Sequence, residues 1–277
     1  MKRSIITTLL CAVTLCMPAM AQTTWGLRGS LGMEKKISKG FDATLEAKYH
    51  QTDNFSKTDR WSVGVSLNKR LYRNFSKTFS VKASVGYKYL TVYNDWSTKY
   101  KGDENNIAND LEPQYYINGL HNFNLNNAYT DHRHRATASL QAALQISNFK
   151  LTWREAYQYT YTDSAQYSKD KYRYKNNAWK PVETVMDGKS PSCKQILRSR
   201  IGLDYDIPGS KFEPFMTYEL FSNIDDNFKT QKSRINAGTE YTINKMHVFE
   251  LSYLWQNNND EDEPAGSYIC IGYKFKF

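Results

Sequence analysis

Over residues 267–277 apolar and polar positions alternate without a break. Ile269, Ile271, Tyr273, Phe275 and Phe277 fall on one side; Tyr268, Cys270, Gly272, Lys274 and Lys276 fall on the other. Strand side chains point alternately to two faces, so this segment predicts a β-strand with one apolar and one polar face. The same period recurs upstream in Trp25, Leu27, Gly29, Leu31 and Met33, then in Phe41, Ala43, Leu45, Ala47 and Tyr49. It continues with Trp61, Val63, Val65 and Leu67, with Phe79 to Tyr89, and through six later runs, giving eleven strand-like segments. Glu155 alone breaks the apolar side of its run, which calls for a β-bulge there or a different strand phase.

Tight turns at Ser147-Asn148, Pro208-Gly209 and Asn244-Lys245 alternate with long polar connections, of which 93–130 and 162–194 are the longest. This asymmetry is that of a transmembrane barrel, with long extracellular loops and short periplasmic turns. The predicted fold is therefore all-β, an antiparallel up-and-down transmembrane β-barrel. Bacterial barrels have an even number of strands with both ends in the periplasm, so ten strands are expected, or twelve, with one segment misread.

The first residues place this barrel. Lys2 and Arg3, an apolar run through Ile5, Leu9, Leu10 and Leu15, and Ala19-Met20-Ala21 form the three regions of a secretory signal. Residues 1–21 are expected to be a cleaved signal peptide and 22–277 one barrel domain. No later segment has eighteen consecutive apolar residues, which excludes a helical membrane protein. The mean hydropathy of -0.69 and the 14% aromatic content suit a barrel, whose lipid-facing residues are diluted by as many lumen residues. Net charge is +9, falling to +7 once Lys2 and Arg3 leave. An exported basic chain meets outer-membrane lipid and lipopolysaccharide rather than nucleic acid. Two cysteines remain, Cys193 and Cys270, and an oxidising compartment permits a disulfide between them.

Four runs carry a family resemblance: RSRIGLDY at 198–205, PFMTYELF at 214–221, RINAGTEY at 234–241 and HVFELSY at 247–253. In these the chain resembles the outer-membrane barrels catalogued as domain of unknown function 2490 (DUF2490). The resemblance implies a barrel fold and the outer membrane of a Gram-negative cell, and it implies no activity.

The polar faces carry the candidate chemistry. Arg60, Arg135, Arg200 and Arg234 stand near the starts of strands that run inward from the outside, predicting a basic tier at the extracellular mouth; Arg198 shares their face. Glu46, Glu219, Glu240, Glu250 and Asp204 point the same way, so bidentate Arg–carboxylate pairs are expected in the lumen. Such a network plugs a narrow barrel, which makes a structural role or small-solute and anion passage the expected function.

An outer-membrane lipase or surface protease is the enzymatic alternative. The strand-borne bases are His50, His132, His134 and His247; none has a nucleophile motif at fixed spacing, so no catalytic residue and no enzyme activity is expected. A secreted glycan-binding β protein, its apolar faces packed on each other, is the third class. The acidic run at 260–263 lacks ligand spacing, and neither metal nor cofactor is expected. Tyr273, Phe275 and Phe277 are the expected assembly signal, presented to the barrel-assembly machinery by the last strand of a monomer.

Overall fold

A computed structural model describes residues 24–101, 122–175, 178–258 and 265–277. The signal segment and the acidic run at 260–263 lie outside the described residues. In chain order the strands are β1 (Trp25–Ser38), β2 (Phe41–Thr52), β3 (Lys57–Arg73), β4 (Phe79–Asn94), β5 (Ser97–Lys101), β6 (Asn122–Asn126), β7 (Tyr129–Ile146) and β8 (Phe149–Thr162). They continue as β9 (Ala165–Lys175), β10 (Ala178–Lys189), β11 (Ser192–Tyr205), β12 (Phe212–Asn223), β13 (Lys229–Ile243), β14 (His247–Asn258) and β15 (Gly266–Lys276). Eleven of them close into a barrel in the order β1-β15-β14-β13-β12-β11-β8-β7-β4-β3-β2. The other four form a separate sheet in the order β10-β9-β6-β5.

The expected ten or twelve strands are thus eleven. Every junction of the wall is antiparallel except one: β1 pairs with β15 in parallel, from Trp25 opposite Ser267 to Glu34 opposite Lys276. An odd number of up-and-down strands can close only in this way, because the first and last then run in the same direction. β1 therefore starts at the rim of the long connections, whereas β15 ends at the rim of the tight turns. There Phe277 is tied into the wall: its N–H donates to the Glu34 carbonyl at 2.9 Å, and its own carbonyl accepts from Lys36 N–H at 3.1 Å.

At the tight-turn rim, left-handed backbone at Ser147 (φ 53°), Asn244 (φ 51°) and Lys245 (φ 59°) reverses the chain within two or three residues. Such φ values match the twist of the flanking strands. At the other rim the segments 93–130 and 162–194 contain β5, β6, β9 and β10 rather than loop alone. Their strands escape an alternation rule because β9 carries charge on both sides and β6, whose Phe123 and Leu125 do alternate with asparagines, is only five residues long. Ion pairs Lys171–Glu183 at 2.8 Å and Lys169–Asp187, with Phe123 stacked on Tyr172 at 4.7 Å, join their neighbours instead.

Within the wall the two faces separate as the alternation predicts. Leu31 is 63% exposed and Ile271 54%, with Val63, Val85, Leu140, Leu151, Ile201, Met216 and Leu251 also exposed, so the outer surface is an apolar band. Inward neighbours are mostly polar, with Leu90, Phe221, Val248 and Leu254 buried among them, and near the long-connection rim side chains fill the lumen: Tyr268 is 2% exposed, while Gln256 and Asp131 are fully buried.

Glu155 is a true exception rather than a phase error. Leu140, Glu155 and Ser199 oppose one another across β7, β8 and β11 with no register shift. Its carboxylate therefore faces outward, accepting from Trp153 Nε1 at 2.8 Å and from Ser199 Oγ at 2.7 Å.

Candidate functional site

Register builds the site. Arg154 of β8 lies opposite Arg200 of β11, Arg200 opposite Glu219 of β12, Glu219 opposite Arg234 of β13, and Arg234 opposite Gln256 of β14. One inward row across five strands thus reads Arg, Arg, Glu, Arg, Gln, and Arg198 stands two residues from Arg200 on the same face. Glu219 is buried and accepts from Arg154 at 2.7 Å and Arg198 at 2.9 Å. Arg234 donates through Nε to Gln256 Oε1 at 2.6 Å, and Arg28 donates to the same oxygen at 3.1 Å. Arg198 and Arg234 also lie over the Phe221 ring, at 4.8 and 4.7 Å from its centre, and Arg28 lies 4.1 Å from that of Tyr268.

A second, smaller group adjoins it. Glu46 holds Lys48 at 3.0 Å and Lys88 at 3.3 Å. Arg60, 3% exposed, pairs with Asp59 at 2.6 Å. Asp59 reaches the lumen because the β2–β3 register slips between His50 and Gln51, leaving one extra residue on β3.

These groups surround a cavity of about 290 Å³. Its wall includes the cations Arg28, Lys48, Arg60, Lys88, Arg135, Arg198, Arg200, Arg234 and Lys274, against the carboxylates Glu46, Glu219, Glu240 and Glu250. With Asp59, which reaches the lumen beside Arg60, the excess of positive charge is four. A barrel of eight strands is filled by its own side chains, and eleven leave room for this chamber.

The structure therefore brings together Arg60, Arg135, Arg198, Arg200, Arg234, Glu46, Glu219, Glu240 and Glu250 around one space. It does not leave them as a tier at an open mouth, since Arg60 is buried and Tyr268 and Gln256 occupy the lumen toward that rim. Asp204 stands apart, paired with Lys150 at 2.8 Å. Arg28, Lys48, Lys88 and Arg154 belong to the site although sequence reasoning did not single them out; their place in the alternation was the available signal. Asp59 had no such signal, because a bulge put it inside.

Cys193 and Cys270 do not pair. Cys193 faces outward from β11, with Tyr159 Oη at 2.9 Å from its sulfur, and Cys270 faces the cavity from β15; three strands separate them. The wall itself keeps the two thiols apart. Tyr273, Phe275 and Phe277 line up outward, Phe275 stacking on Phe277 at 5.5 Å and Tyr273 bonded to His247 Nδ1 at 2.9 Å. His132 and His134 are outward as well, each with a tyrosine hydroxyl at 2.6 Å from Nδ1, from Tyr89 and Tyr87 respectively. His50 faces the cavity near Asp59, at 4.0 Å.

The family model described as "Protein of unknown function (DUF2490)" matches residues 25–266. No curated protein matches the chain.

Proposed function

The chain belongs to the DUF2490 family, and from that premise we propose that it is an outer-membrane β-barrel whose cation-lined lumen takes up and passes small anions. The observation that carries this reading is the chamber itself, with nine cations against four carboxylates in its wall and Asp59 behind Arg60. A purely structural plug would be expected to balance its buried charge, because uncompensated charge in a water-poor space is costly. The outer face supports the membrane part. A continuous apolar band around a barrel is stabilised by hydrocarbon, and the aromatic and histidine pairs Tyr89–His132 and Tyr87–His134 suit the boundary with headgroups. In this reading the barrel is a monomer among lipid and lipopolysaccharide. Tyr273, Phe275 and Phe277 present its closing strand to the assembly machinery.

A second reading, a structural barrel that conducts nothing, is favoured by one observation: Tyr268, Gln256 and Asp131 fill the lumen near the long-connection rim. Reconstitution into planar bilayers under a salt gradient separates the two. Discrete steps with an anion-selective reversal potential are the expected result. A folded barrel that stays silent supports the structural reading, and cation selectivity overturns the anion reading.

A further inference from the structure

The excess charge is not spread evenly. Four guanidinium groups, from Arg154, Arg198, Arg200 and Arg234, gather around Glu219, so this corner of the lumen carries three unbalanced positive charges. Glu46, by contrast, faces two ammonium groups, which leaves one.

The hydrogen-bond inventory sharpens the difference. Arg154 and Arg198 each give an N–H to Glu219, yet the Nε of each is buried with no acceptor. Arg200 lines the cavity directly opposite Glu219 and forms no hydrogen bond or ion pair with any described residue. A buried donor without an acceptor is costly, and more so when it is charged. Arg200, with Arg198 beside it on the same face, thus presents guanidinium to the cavity with no acceptor for it among the described residues.

The chemistry of that acceptor follows from the donors. Guanidinium is a planar fork that binds two oxygens of one anion, so an oxyanion suits it better than a halide. Three surplus charges favour an anion that carries close to two. The space of about 290 Å³ lies at the small end of ligand pockets and suits a ligand of few heavy atoms. We infer that Arg198 and Arg200, backed by the charge of Arg154 and Arg234, form a binding site for a small phosphate-type oxyanion, inorganic phosphate or a short phosphate monoester. This assignment rests on the anion reading of the lumen and names its ligand class.

The test uses the purified protein folded in zwitterionic detergent. Its thermal unfolding midpoint is measured against sodium phosphate, glycerol phosphate and sodium chloride at matched ionic strength. Phosphate should raise the midpoint beyond chloride, and whichever phosphate acts at lower concentration identifies the source. Arg200→Gln should weaken the phosphate effect about tenfold, as expected for lost charge-assisted hydrogen bonds. Arg200→Lys, which keeps the charge and fold but not the fork, should fall between. Lys274→Gln removes an equal lumen charge four strands from β11 and should leave phosphate binding nearly unchanged.

Equal losses in Arg200→Gln and Lys274→Gln would mean a diffuse field and overturn the site. So would a phosphate effect no larger than that of chloride. Because binding is read without conduction, the two proposals fail separately. Phosphate binding by a silent barrel keeps the site and removes the passage, whereas anion conductance without phosphate binding does the reverse.

Discussion

Two glutamates a few strands apart face opposite ways through the same wall. Glu219 points inward with four arginines around it and two of them bonded to it. Glu155 points outward, among Leu140, Ile201 and Tyr157, with only an indole and a hydroxyl as donors. The contrast shows what the wall does: it turns a one-residue difference in phase into two different surroundings. Inside, a carboxylate is one member of a charge network in which every substitution is felt by several partners. Outside, it is a polar break in an apolar band, held by neutral donors on adjacent strands.

The largest expected effect follows from removing the inner carboxylate. Glu219→Ala strands Arg154 and Arg198 and should cost about 3–5 kcal/mol in urea unfolding of the detergent-folded barrel. A loss below about 1 kcal/mol would break the comparison, because the network would then behave like surface charge.

The cysteines offer a second probe of the two faces. A membrane-soluble maleimide should label Cys193 about tenfold faster than Cys270, through exposure alone. A small anionic thiosulfonate should favour Cys270 through the basic lumen. Equal rates with both reagents would show that the wall does not separate the two environments.

Glu155→Leu should change stability by only about 1 kcal/mol, and toward greater stability, since carboxylates on the outward face of such barrels are modestly unfavourable. A drop as large as that of Glu219→Ala, in the same urea assay, would instead make Glu155 the anchor of an essential contact.

The smallest effect concerns a carboxylate outside the barrel altogether. On the β9–β10 sheet the Lys169 ammonium, with the Gly188 N–H, holds the Asp187 carboxyl below the usual carboxylate range, and Thr184 and Asn127 do the same for Asp170. A lowered folded value means stability that is present above about pH 4 and lost as pH falls through the lowered value. Amide exchange in β9 and β10 should therefore quicken in acid before that of the barrel strands. Simultaneous loss in both would contradict the separation of sheet and barrel.

Much of this was visible in the chain. The inward set, from Glu46 to Glu250, follows from alternation, because a period of two assigns each side chain to a face before any partner is known. Where alternation had no purchase, inference failed for identifiable reasons. Asp59 enters the lumen through a register slip, and registers depend on two strands at once. The strands β5, β9 and β10 have no sustained apolar side to reveal them, and β6, with only Phe123 and Leu125, is too short to do so. The strand count went astray through parity: all eleven segments were present in the pattern, but ten was preferred because an even barrel needs no parallel seam.

The amino-acid sequence by itself determined which residues face which way, since that depends on local geometry alone. Only the tertiary structure decided which strands adjoin, that β1 closes on β15 in parallel, and that Arg154, Arg200, Glu219 and Arg234 form one row, with Arg200 hydrogen-bonded to none of the described residues. Those outcomes depend on register between strands distant in the chain, a property that no single strand contains.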